Sequence, residues 1–121
     1  MNTTRLLIAA LLIASAPASA HDAKGPHGGQ LADAGSYHVE MVVKSAVVDV
    51  FVSDANEKPI APTGYKGTAI LMAAGKSQRI VLAPADGTRL SGSAATAFPA
   101  QPKGVVQLTA PDGKTIQAKF D

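Results

Sequence analysis

Beyond residue 36, apolar and polar residues alternate with a period of two, the mark of strands that set one face on a core. Tyr37, Val39, Met41 and Val43 fall on one side of the first run, and His38, Glu40, Val42 and Lys44 on the other. After a short turn at Lys44-Ser45-Ala46, a second run from Val47 to Ser53 sets Val48, Val50 and Val52 against Val47, Asp49 and Phe51. β-Branched residues dominate both runs, so the two predict a hairpin. Residues 54–67 are polar and carry two prolines, which argues against a helix and predicts a long connection with Ile60 and Tyr65 dipping into the core.

The same alternation predicts a third strand over 68–73 and a fourth over 77–82, joined at Ala74-Gly75-Lys76. Pro84-Ala85-Asp86-Gly87 is a turn signal, because Asp-Gly supplies the positive φ of tight hairpins. A fifth strand over 89–95 follows, weakened by Gly92, and Phe98 to Pro102 form another connection. The chain closes with strands over 104–109 and 114–120 around Pro111-Asp112-Gly113, with Val106, Leu108, Ile116, Ala118 and Phe120 facing inward. About seven short strands with regular turn signals predict an all-β domain, a small immunoglobulin-like Greek-key sandwich. A small closed barrel is the alternative architecture.

Two stretches lack the alternation. Residues 1–20 read as a secretory signal: Arg5 near the start, an apolar stretch from Leu6 to Ala16, and a small-x-small site at Ala18-Ser19-Ala20. The apolar stretch is too short for a bilayer, which needs roughly 20 residues. Cleavage after Ala20 would leave a periplasmic chain with no membrane insertion. Residues 21–35 are rich in Gly, Pro, Ala and polar side chains and read as a flexible arm. The expected organisation is therefore signal 1–20, arm 21–35 and one β-sandwich domain over 36–121.

Charge and composition narrow the partners. The whole chain has eleven Lys+Arg against nine Asp+Glu, and Arg5 leaves with the signal, so the exported chain stands at +1. No basic cluster marks a nucleic-acid or membrane-surface partner. Cysteine is absent, which excludes disulfides and thiolate metal sites and leaves folding to packing and sheet hydrogen bonds. The serines lie outside any nucleophile elbow, no carboxylate pair stands out, and no glycine loop precedes a helix. A non-enzymatic role is expected.

The histidines carry the chemistry. All three, His21, His27 and His38, lie in the first stretch after the expected cleavage site. Cleavage after Ala20 makes His21 the amino terminus, where its α-amine and its ring Nδ1 can chelate one cation. An α-amine with an ordinary pKa of about 7.7–8.0 loses its proton at little cost near neutrality. His27 or His38 would add imidazole nitrogen, and Asp22 or Glu40 could add oxygen. A nitrogen-rich tetragonal set suits Cu(II), although Ni(II), Co(II) or Zn(II) could occupy similar donors. Each residue also has a plainer reading: His27 as a turn residue, His38 as a half-exposed strand residue, Glu40 and Asp49 as solvated strand charges. Met41 and Met72 sit on apolar strand faces and read as core rather than as soft ligands.

Gly25-Pro26-His27-Gly28-Gly29, followed by Asp33-Ala34-Gly35-Ser36-Tyr37-His38-Val39-Glu40 and Val42-Val43, resembles a group of small periplasmic proteins. The same string is similar to the segment that precedes the main body of periplasmic adaptor subunits in heavy-metal efflux pumps of the resistance-nodulation-division type. The resemblance implies a periplasmic role near efflux of, or resistance to, copper, cobalt, nickel or zinc, and it points to His27, His38 and Glu40. The adaptor's coiled-coil, lipoyl-like and barrel portions have no counterpart here. The expected function is transition-metal binding, copper first, in partnership with an efflux component. The alternative is a metal-free module that docks on such a component.

Overall fold

The computed structural model describes residues 24–121; the expected signal, His21 and Asp22 lie outside the described residues. The described chain is all-β. Its strands are β1 (Gln30–Ala34), β2 (Tyr37–Lys44), β3 (Val47–Ser53), β4 (Lys66–Ala73), β5 (Lys76–Ala85), β6 (Arg89–Ser93), β7 (Gly104–Thr109) and β8 (Thr115–Phe120). Every pairing is antiparallel, and the order is β1-β2-β3-β6-β5-β4-β7-β8. The edge strands β1 and β8 lie against each other, so the eight strands form one nearly closed, barrel-like sheet. Among the described residues no helix is long and apolar enough to cross a membrane.

Local chemistry sets the turns. Gly35, Ser45, Ala74 with Gly75, and Asp86 with Gly87 all take positive φ between successive antiparallel strands, where that twist matches the strands they join. Strand β5 is the longest and serves two neighbours. Lys76 to Leu82 lie in its ladder with β4, and Ala83 to Ala85 in its ladder with β6. It therefore turns the corner between the β1-β2-β3-β6 and β4-β7-β8 portions of the wall.

The core follows from the alternation. Val39, Met41, Val48, Val50, Leu71, Ile80, Leu90, Val106 and Leu108 are each at most 1 % exposed. At about 1.5–3 kcal/mol for each large apolar side chain, this interior is the dominant stabilising term. Ile60 and Tyr65 pack against it from the β3–β4 connection, as expected.

Three details depart from the alternation. Gln30–Ala34, expected in the arm, form strand β1, making eight strands where about seven were expected. Its sequence has no β-branched residue; its place comes from pairing with β2 and from burying Ala34. Met72, expected in the core, is 43 % exposed and shares the outer face of its sheet with Ile70 and Val81. Asp49 is not a solvated charge: its carboxylate is mostly covered and lies 3.3 Å from Arg89 Nε, while Arg89 also meets Asp86 at 2.9 Å. The Asp49–Arg89 contact lacks hydrogen-bond geometry, so the two hold each other by charge alone.

Candidate functional site

On β2 the odd positions enter the core and the even positions face outward, so His38 and Glu40 stand side by side on the outer face. Register completes their surroundings. Asp33 of β1 and Ser53 of β3 sit opposite His38, while Leu31 and Phe51 sit opposite Glu40. Over this face folds the turn Gly25–Gly29, placed by the Lys24–Gln30 bridge at the start of β1.

Glu40 is the unusual residue. An outward-facing strand carboxylate should be wet, yet Glu40 is only 3 % exposed. The turn covers it and supplies its partners. His27 N–H donates to Oε2 at 2.8 Å, Gly29 N–H donates to the same oxygen at 2.9 Å, and His27 Nδ1 lies 2.7 Å from Oε1. Burying a carboxylate costs several kcal/mol unless such donors replace its water. Charge-assisted bonds of this length are about twice as strong as neutral ones.

The glycines in the string follow from that seat. Gly28 takes φ +78°, closing the turn. A methyl group at Gly25 would fall on the Glu40 carboxylate, and one at Gly29 on the Met41 carbonyl oxygen, so neither position has room for a side chain. The His27 ring lies flat on Phe51, with centroids 3.7 Å apart and planes 10° from parallel. Stacking on one face and a carboxylate at Nδ1 fix the imidazole in place.

His38 repeats half of this arrangement. Its Nδ1 lies 2.7 Å from Asp33 Oδ1, on a carboxylate that is 79 % exposed. A carboxylate only accepts, so in each pair the ring nitrogen facing it carries the hydrogen. In the neutral ring Nε2 then carries the lone pair, and neither Nε2 has a hydrogen-bond partner among the described residues. Carboxylate-backed imidazoles of this kind are well suited to ligate metals, because the backing group fixes the tautomer and raises the basicity of the free nitrogen.

Both imidazoles line one half-open cavity of about 860 Å³. Leu31, Phe51, Pro59 and Ile60 give it apolar walls, and Lys24, Ser53 and Glu57 add polar groups to its lining. Glu57 is held at φ +62° in a tight loop whose amides bond back to Asp54.

Of the residues expected to bind metal, the fold brings His27, His38 and Glu40 to one cleft. His21 and Asp22 fall outside the described residues. Glu40 has both oxygens committed to the turn, which makes it the support of His27 rather than a free donor. Among the described residues no three His, Asp or Glu side chains converge as a complete metal-binding group. The alternation did not single out Asp33, Phe51 or Glu57. Asp33 and Phe51 become visible only once the registers β1–β2 and β2–β3 are known. No protein-family model, curated protein or solved structure matches this chain.

Proposed function

We propose that this chain is a periplasmic transition-metal-binding protein, loaded with Cu(II) first, that serves metal efflux or resistance. The observation that carries the reading is the pair His27 and His38: both rings line one cavity, and both have Nδ1 on a carboxylate, leaving Nε2 for a cation. Two imidazoles are half of a tetragonal set. The other half comes from His21, whose α-amine and Nδ1 close a chelate after cleavage behind Ala20.

Covalent reach supports this assembly. Lys24 lines the cavity, and His21 precedes it by three residues, which span at most about 11 Å. Asp22 adds an oxygen. Ni(II), Co(II) and Zn(II) fit the same donors less selectively, since Cu(II) tops the divalent affinity order. Binding rather than catalysis is the role, and a component of an efflux system is the recipient.

The immunoglobulin-like Greek-key relation belongs to the same proposal. It is supported by the succession β3-β6-β5-β4, in which a long connection returns the chain beside a meander, and by the corner in β5.

The test is a Cu(II) titration of the chain beginning at His21, set beside a chain with one extra residue ahead of it. Breaking one of two linked donors should weaken binding by about 10²–10⁴-fold and change the electron paramagnetic resonance spectrum. Equal affinity in both would remove His21 from the site. Absence of copper binding in the cleaved chain would favour the metal-free docking module instead.

A further inference from the structure

The turn Gly25–Gly29 closes on itself through Gly28 N–H to the Gly25 carbonyl and Gly25 N–H to the Gly29 carbonyl, both at 2.9 Å. Its polar attachment to the outer face runs through the Glu40 carboxylate, and its stacking attachment through Phe51. One residue, His27, takes part in both.

We infer that this turn is a latch whose seating on Glu40 is coupled to metal occupancy of His27, an inference that rests on the metal-binding reading above. The two nitrogens of one ring make the connection. A cation on Nε2 draws electron density from the imidazole and makes its Nδ1–H a stronger donor, which tightens the 2.7 Å contact with Glu40. Binding free energies are reciprocal. The factor by which metal favours the seated turn is therefore the factor by which seating raises metal affinity.

Lifting the latch has three consequences at once. Glu40 loses its donors together with the cover that holds it at 3 % exposure, the His27 ring leaves Phe51, and the cavity loses the wall formed by Gly25, Pro26 and His27. Loaded and empty chains then differ in shape at the metal cleft, while the barrel behind it stays the same. A recipient protein can read that difference.

The experiment is hydrogen exchange at the His27 and Gly29 amides, followed by mass spectrometry with and without Cu(II) alone. Saturating copper should slow both by about tenfold, while the Gly113 amide, bonded to Ala110 in the β7–β8 turn outside the cavity lining, should not change. Gly29→Ala blocks the seat without removing any donor atom. It should leave the His27 amide fast with or without copper and lower copper affinity by about tenfold. Glu40→Gln, which keeps the shape and removes the charge, serves if Gly29→Ala does not fold, and it should shrink the copper-induced protection. Copper binding with unchanged exchange at both amides overturns the latch and leaves the metal reading standing. So does a Gly29→Ala chain that binds copper as tightly as the parent. Failure of the parent to bind copper overturns the metal reading, and the latch with it.

Discussion

Val39 and Glu40 are neighbours on β2 and almost equally hidden, at 0 % and 3 % exposure, yet opposite physics hides them. Val39 points into the barrel, where apolar side chains from all eight strands contribute to one continuous core. Glu40 points the other way and is covered by a single short turn. On the inner face the stabilisation is non-directional and spread over many contacts, so loss of one side chain leaves the rest in place. On the outer face it depends on a few directed bonds to one carboxylate, and these stand or fall together. The inner face therefore rests on many contacts and the outer face on few.

Removing a core side chain should have the largest effect. Leu108 is 0 % exposed and pairs with Gly67 and Ile116 across its two ladders. Leu108→Ala should cost about 2–5 kcal/mol and lower Tm by roughly 10 °C or more. Below the new Tm, copper affinity should match the parent, because the barrel only carries the cleft. A chain that keeps its Tm would show that the interior is looser than its burial implies.

Next comes the contrast between the two carboxylates. Glu40 and Asp33 each hold one imidazole at 2.7 Å, but one carboxylate is 3 % exposed and the other 79 %. Glu40→Gln leaves the turn with a weaker acceptor in a dry place and should cost about 2 kcal/mol by chemical denaturation. Asp33→Asn should cost less than about 0.5 kcal/mol, since water already screens that pair. In copper affinity the two should converge, each falling by about 10–100-fold, because each removes the anion behind one ring of the proposed copper site. Equal stability losses would erase the distinction between a buried support and an exposed one.

The two faces were also unequally legible in the sequence. Val48, Val50 and Val52, or Leu108 with Ile116 and Phe120, announce their side of a strand, because an alternation repeated over several residues leaves one register that buries them all. Strand β1 was hidden because Gln30-Leu31-Ala32-Asp33-Ala34 has neither the alternation nor the β-branched residues; only the partner strand makes it a strand. Met72 misled because it alternates with the wrong set: Leu71 and Ala73 point inward and Met72 does not. Glu40 read as solvated, since strand alternation says which way a side chain points but not what folds over it. The clue lay 11 to 15 residues upstream, in a string whose glycines at 25 and 29 leave room for nothing but that carboxylate and the β2 backbone. His27, His38 and Glu40 could be named as a group because they are few. Their division into two rings and a support needed the fold.

The smallest predicted effect belongs to the barrel side and appears only in alkali. Tyr65, in the β3–β4 connection, packs part of its ring against the core. Burial raises its phenol above the ordinary value of 10.0, and the negative charges of Tyr37 and Asp112 raise it further. The unfolded chain then releases this proton at a lower pH than the folded chain does. Stability from this group is complete below pH 10, declines as pH rises through the folded pKa, and is level beyond it. Tyr65→Phe should therefore flatten the fall of Tm above pH 10 without moving Tm near neutrality. The phenolate absorbance of the parent should show one tyrosine titrating late. Copper affinity should be the same in both chains, because Tyr65 lies outside the cleft residues. A Tyr65→Phe chain that loses copper would mean that the connection carrying Ile60 to the cleft transmits strain from the barrel, and the two faces of β2 would then be one system.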